Sequence, residues 1–360
     1  MLDFAEAEKL FRQDKIGLLS GSHEGLRYLK LRSLSRGSYL EALAEVYGIQ
    51  VPDKKRNLFE TVYRSHVSVL QIDEFIRTTF SVERAKRLAN EDALISELYK
   101  IETFGWSGSD QGGLEKPIVD NFIKKIRVYE DLKNAVETQI FLNLQNYVYS
   151  SWYNHWTSIV IEDLVKEQPR VLPAVGLVKK IDFFIDDVPF DLKVTYLPEG
   201  YVADWRRTQG IGTEITALKK VCRSVGIQLK DSTGADLKAP VLWQQLDDHP
   251  SSAAQVGLAE IRTVRNQILT EAIQQPSLLA KWLYENQGER RFDSSNRLFI
   301  VLIDSNNFFE SWKLKRAKSL IKGSIESFLA GETGTTGFDL TFEWEGESFS
   351  VVTDIIFVVK

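Results

Sequence analysis

Two strand-like runs joined by a pair of aspartates constrain this chain more than any other stretch. The segment is Lys179-Lys-Ile-Asp-Phe-Phe-Ile-Asp-Asp-Val-Pro-Phe-Asp-Leu-Lys-Val-Thr195. A hairpin turning at Asp186-Asp187 sets Asp182 opposite Asp191, Ile181 opposite Leu192 and Lys180 opposite Lys193. Side chains two residues apart share a face, so Asp191 and Lys193 project together. Opposed side chains have Cβ atoms about 4.5–5.5 Å apart, and two bare carboxylates at that spacing repel. Asp182 lies between Ile181 and Phe183, and Asp191 between Phe190 and Leu192. Charges embedded in apolar strands call for a partner. A divalent cation between the two aspartates supplies one, and Mg²⁺ takes oxygen ligands and keeps several waters. Lys193 beside that water and a phosphate would orient the nucleophile, help lower its pKa, or stabilise transition-state charge. The helical stretch just upstream, Trp156 to Lys166, offers Glu162 as a third carboxylate, with Asp163 and Glu167 as neighbours able to take its place.

The rest of the chain predicts what surrounds this hairpin. Residues 1–130 read as mainly helical. Apolar stripes of helical period occur in Tyr39–Tyr47, Leu58–Leu70, Val82–Leu88 and Ala93–Leu98, with polar breaks at Val51-Pro52-Asp53 and Thr78–Ser81. Trp106–Gly113 is the clearest loop. A long helical pattern, in two or three pieces, runs from Pro117 to about Val165. Its aromatics Phe141, Tyr147, Tyr149, Trp152, Tyr153 and Trp156 are read as a core-facing stripe; on a solvent face they would form a base-stacking platform. Strands are expected over Gly176–Ile185 and Val188–Leu197, and helices over Ile215–Val225, Ala259–Ile273 and Leu278–Glu285. Arg297–Ile303 is nearly continuously apolar, the pattern of a strand buried on both faces. A helix over Trp312–Leu329 and a terminal hairpin, Phe338–Trp344 with Ser348–Val359 around Glu345-Gly346-Glu347, complete an α/β chain with a mixed central sheet flanked by helices.

Glu162, Asp182 and Asp191-Leu-Lys193, in that order, resemble the PD-(D/E)XK nuclease superfamily. There a helix delivers an acidic residue, the next strand carries the first aspartate, and the following strand carries (D/E)XK. Val188-Pro-Phe-Asp-Leu-Lys-Val-Thr195 is similar to the second half-motif in its DXK form. Ile181 stands where the family pattern has proline, and no QxxxY element follows Lys193. The resemblance implies a restriction-endonuclease-like fold over 131–360, with the helical region 1–130 serving DNA binding or dimerisation. It implies a Mg²⁺-dependent, sequence-specific double-stranded DNA endonuclease of type II character. Asp182, Asp191 and Glu162 would hold the metal and Lys193 would activate the water. Cutting both strands from one site per chain is most simply met by a homodimer on a palindrome. The alternatives are a sequence-nonspecific repair, transposition or phage-defence nuclease, and a non-catalytic DNA-binding protein on the same fold.

Composition narrows the remaining choices. The single cysteine, Cys222, excludes an internal disulfide or a multi-cysteine zinc site. The four histidines form no metal-binding pair, and His155 reads as a packed or capping residue. A net charge of −5 confines any DNA-binding charge to a local patch. Patch candidates are Arg206, Arg207 and Gln209 after the second strand, and Lys313, Lys315, Arg316 and Lys318 after the apolar one. Arg27, Lys30, Arg32 and Arg36 form a further basic cluster near the N-terminus, with Lys54, Lys55 and Arg56 beyond it. No GxxxxGK[ST] element exists, so no nucleotide cofactor is expected. No apolar run approaches the roughly 20 residues of a membrane span, and Met1–Lys9 lacks a signal-peptide apolar block; the expected location is cytoplasmic.

Overall fold

Arg297–Ile303 (β4) is buried along its whole length, and the sheet is built around it. The computed structural model describes residues 2–35, 38–102, 118–178, 180–227, 238–286, 295–331, 337–344 and 346–360. Six strands are ordered β1-β2-β3-β4-β6-β5, where β1 is Val171–Val178, β2 Ile181–Ile185, β3 Val188–Tyr196, β5 Phe338–Trp344 and β6 Glu347–Val359. The sheet is mixed. It is antiparallel at β1–β2, β2–β3 and β5–β6, and parallel at β3–β4 and β4–β6.

The β2–β3 hairpin keeps the expected register, with Phe183 on Phe190, Phe184 on Pro189 and Ile185 on Val188. Its two turn residues, Asp186 and Asp187, have φ of 48° and 69°, the left-handed pair of a two-residue turn that matches strand twist. Aspartate tolerates this region better than most side chains. Arg170 holds the Asp186 carboxylate and Lys30 Nζ donates to Asp187 Oδ1 at 2.7 Å, so the turn is tied from both sides.

Helices cover both sheet faces. On one, Phe190, Leu298, Ile300, Leu302, Ile356 and Val358 pack against Phe141–Lys166 and Lys318–Leu329. On the other, Phe299, Val301, Ile303, Ile355 and Phe342 lie beneath five helices: Glu199–Thr208, Glu214–Ser224, Lys238–Asp247, Ser252–Gln274 and Pro276–Asn286. The N-terminal region is helical, as expected. Its core, with Leu29, Leu31, Ile72 and Ile76, runs on into Leu172, Ala174, Ile181 and Phe184 of β1 and β2.

Several expectations are corrected. Thr78–Ser81 is no break, because Val69–Leu88 is one helix. Thr78, Thr79 and Ser81 each turn their hydroxyl back to a carbonyl four residues earlier, satisfying it inside the helix. Leu58–Leu70 is interrupted after Tyr63. Gly176–Ile185 is two strands, parted at Lys180 with φ 66°. Trp312–Leu329 divides at Ala317 into a 3₁₀ segment, Phe308–Arg316, and a helix from Lys318. The core-facing stripe is wrong for Phe141, Tyr147, Tyr149 and Trp152, which are exposed, and holds for Tyr153. Trp106–Gly113 and Arg36 lie outside the described residues.

Buried charge is organised in networks. Arg265, 1% exposed, bonds Glu214 through Nε at 2.6 Å and Glu199 through Nη2 at 2.6 Å, and lies over the rings of Phe308 and Phe309. Most of the basic N-terminal cluster serves packing. Arg27 donates to carbonyls of Val62 and Tyr63, Lys30 is fully buried between Asp73 and Asp187, and Arg32 lies over Phe11.

Candidate active site

The ladder between β2 and β3 stops at Phe183 and Phe190, one residue short of the two aspartates. Beyond it, Asp182 Oδ2 accepts the Leu192 N–H at 2.7 Å, so a carboxylate stands where a strand carbonyl would. The Asp191 N–H turns away to the Asn296 carbonyl, 3.0 Å off, beside β4. Both aspartates therefore sit at the point where the hairpin opens.

Asp191 is buried and has two cationic neighbours. Lys193 Nζ donates to it at 2.8 Å, and Arg297 Nε, opening β4, stands 3.8 Å away. The Arg297 guanidinium lies over the Tyr284 ring, 4.7 Å from its centroid. Lys193 is more than a third exposed, so its ammonium reaches solvent while resting on Asp191. From the helix Phe141–Lys166, Glu162 meets Lys166 Nζ at 2.5 Å, and that amine also donates to the Ala174 carbonyl of β1 at 2.9 Å.

These charges converge on Asp182. Burial first, then repulsion from Glu162, and to a lesser degree from Asp191, push its carboxyl up to about 6; the Leu192 N–H and Lys166 pull it down. The sequence left Asp163 and Glu167 open as substitutes for Glu162. Both are committed elsewhere. Arg87 grips Asp163 with two bonds of 2.7 and 2.8 Å, and Arg84 Nε meets Glu167 at 2.6 Å. Glu162 is the carboxylate of the three that acts on Asp182.

The four expected residues are thus brought into one neighbourhood. Among the described residues, no three acidic, histidine or cysteine side chains already surround a single point closely enough to enclose an ion. Lys193 pairs with Asp191 and Lys166 with Glu162. Two participants escaped sequence reasoning. Lys166 follows Glu162 by four residues, the spacing of a helical ion pair, and Arg297 is a charge opening a wholly apolar strand, a placement that asks for a partner.

The expected DNA-contact residues scatter. Arg206 is buried and donates through Nε to the Gly212 carbonyl at 2.8 Å. Arg207 and Gln209 are exposed, with Arg207 on Asp204. Lys315 is buried, bonds Asn154 Oδ1 at 2.8 Å and lies over Tyr196. Arg316 is buried, donates to the carbonyls of Leu98 and Ile101, and stacks over Tyr99. Lys313 pairs with Glu310 and Lys318 with Glu91. For Arg206, Lys315 and Arg316, phosphate contact is corrected to packing, because their donors already serve interior acceptors. His155 is exposed and lies edge-on beside the adjacent Trp156 ring, so the packed role expected of it is corrected to a surface one.

The raised Asp182 carboxyl has a consequence for stability. A carboxyl raised above its ordinary range favours folding below that range, and the contribution is lost as pH rises through about 6. Asp182→Asn keeps an oxygen for the Leu192 N–H and removes the charge. It is expected to raise stability at pH 7–8 by about 1–3 kcal/mol, taking roughly 1.4 kcal/mol per pKa unit, and to give no gain at pH 4. Thermal unfolding at the two pH values checks this; equal gains at both would show that the charge is not the cause.

No protein-family model, curated protein or solved structure matches this chain.

Proposed function

We propose that the chain is a Mg²⁺-dependent endonuclease acting on double-stranded DNA, cutting at specific sequences. The observation that carries this reading is geometric: where the β2–β3 hairpin opens, the half-buried Asp182 carboxylate accepts the Leu192 N–H at 2.7 Å, and Asp191 on the neighbouring strand carries Lys193 at 2.8 Å; burial and the nearby Glu162 push the Asp182 carboxyl up. Such a cluster costs stability in the free protein, and it becomes favourable when a cation shares it.

The residues fit a hard divalent ion. The donors are all carboxylate oxygens, and Asp182 accepts one neutral N–H where its neighbours each have a lysine. Asp182, Asp191 and Glu162 would hold Mg²⁺, which when bound would stabilise charge on a phosphate and make a nearby water more acidic. The chain's own groups do the rest. Lys193, released from Asp191, would donate to the attacking water or to a non-bridging phosphate oxygen, fixing the line of attack. Arg297 would go on shielding Asp191, with Tyr284 beneath it. Lys166 would hold Glu162 and, through the Ala174 carbonyl, tie the helix to β1.

Digestion of unmethylated plasmid and phage DNA by the purified chain tests the reading. Discrete fragments are expected with Mg²⁺ at the 10 mM scale, roughly what a site of a few carboxylates needs, and none with EDTA. A metal-dependent smear would replace sequence specificity by a general nuclease. Intact DNA in both conditions would remove the nuclease assignment.

A further inference from the structure

The first three turns of the helix Phe141–Lys166 contribute nothing to the core; its buried residues begin at Tyr153. Yet this half is rich in apolar side chains. Phe141 is 62% exposed, and Leu142, Leu144, Val148, Tyr149 and Trp152 are exposed with it. From Thr138 to Ile161 the chain carries no Asp, Glu, Lys or Arg. An uncovered helix is ordinarily charged on its wet side, and a contiguous apolar patch of this kind marks an interaction surface.

The chemistry of the face selects among occupants. Nucleic acid needs cations for its phosphates, and this stretch has none. A helix lying in a membrane interface carries Lys or Arg on its polar face, whereas the opposite face here carries Asn143, Asn146, Ser150 and Asn154. A charge-free apolar face meets no like-charge repulsion from a copy of itself. The spacing is also self-complementary. Phe141, Gln145, Val148 and Trp152 lie on one line of the helix at steps of four, three and four, which read the same in both directions. Two such helices running antiparallel bring Phe141 against Trp152 and Gln145 against Val148 twice over, as a two-fold axis requires. Taking large side chains at about 150–250 Å², the exposed fractions of these groups leave on the order of 500 Å² uncovered, which with an equal share from the partner reaches the roughly 1,000 Å² a specific interface needs.

We propose that the exposed half of this helix is a homodimer interface, pairing antiparallel with the same helix of a second copy about a two-fold axis between Gln145 and Val148. The proposal rests on the helix alone and stands apart from the nuclease reading.

Sedimentation velocity of the full chain over a concentration series tests it. The chain is expected to be a dimer at micromolar concentration. Phe141→Glu with Val148→Glu puts four carboxylates into the paired face and is expected to weaken association by at least about a hundredfold. Because both positions are exposed, far-UV circular dichroism should be unchanged. Asn143→Glu, on the opposite face, is expected to leave the dimer intact. Val148→Cys provides a second readout: Cys222 is buried, so a short bis-maleimide should link two chains through position 148 alone. A wild-type chain that sediments as a monomer at about 100 µM, well above the dissociation constants of stable dimers, overturns the proposal. So does a double variant that remains a dimer, or a Val148→Cys chain that does not cross-link.

Discussion

Lys193→Ala is expected to lower Mg²⁺-dependent DNA cleavage by about 10²–10⁴-fold, the usual contribution of a positioned proton-transfer group. Among the described residues, the Lys193 side chain is the cation of the cluster that is both on a carboxylate and more than a third exposed, where a phosphodiester would arrive. Arg297 is buried beside Asp191 and Lys166 is bonded to Ala174, so neither can take over the position. The fold should tolerate the change, because a partly exposed pair adds little to stability. Asp191 keeps Arg297 as its cationic neighbour. DNA binding and Mg²⁺ binding should therefore persist while turnover is lost. The measurement is single-turnover cleavage of a plasmid, with filter binding and a Mg²⁺ thermal shift on the same preparation. Cleavage at the wild-type rate would take Lys193 out of the chemistry. Loss of Mg²⁺ binding alongside would make it a structural residue of the site.

The largest loss of stability is expected from Arg265→Ala. Its guanidinium is 1% exposed and joins two helix-borne glutamates, Glu199 and Glu214. Glu214 is itself buried, so truncation leaves a carboxylate inside the protein with its cation gone. Breaking a buried pair from one side costs about 3–5 kcal/mol, and the stacking over Phe308 and Phe309 is lost as well. The expected result is a lower urea midpoint with an unchanged slope. Arg265→Met, which keeps volume and loses charge, should be nearly as harmful. Restoration by a paired Glu214→Gln change would identify the unpaired carboxylate as the cause. A loss below about 1 kcal/mol, the level of an exposed pair, would mean that the network relaxes.

How far the sequence reached differs by element. The hairpin was legible because a period of two and a two-residue turn leave one register, and Phe183–Phe190 pairing follows from it. β4 was legible because its apolar run is strand-length and rich in β-branched and aromatic residues, the composition of a strand covered on both faces. Glu162 was not separable from Asp163. Consecutive helical residues point about 100° apart, and which one faces β2 depends on Arg84 and Arg87, some eighty residues upstream. The basic residues misled for a related reason. Lys30, Lys315 and Arg316 have long apolar stems that bury well when carbonyls or carboxylates receive the head, and charge alone does not reveal that. The aromatic run before Tyr153 misled in the opposite sense, since an apolar helix stripe looks the same in sequence whether or not that length of it is covered.

The parallel pairing of β3 with β4 shapes how the molecule assembles. Residues 197–296, with five helices among the described residues, separate the two strands. Closing a loop of that length costs on the order of 4 kcal/mol in chain entropy before any contact across it forms, whereas the β2–β3 hairpin closes locally within microseconds. Asp182 and Asp191 are thus expected to meet early, in water, where their repulsion is small. The low-dielectric surroundings that make it large arrive only when β4 docks and the helices fold down. β4 itself, without a hydrophilic face, gains its second neighbour from β6, further along the chain. The acidic cluster is consequently set in place by the fast local step and charged with its electrostatic tension by the slow, long-range one.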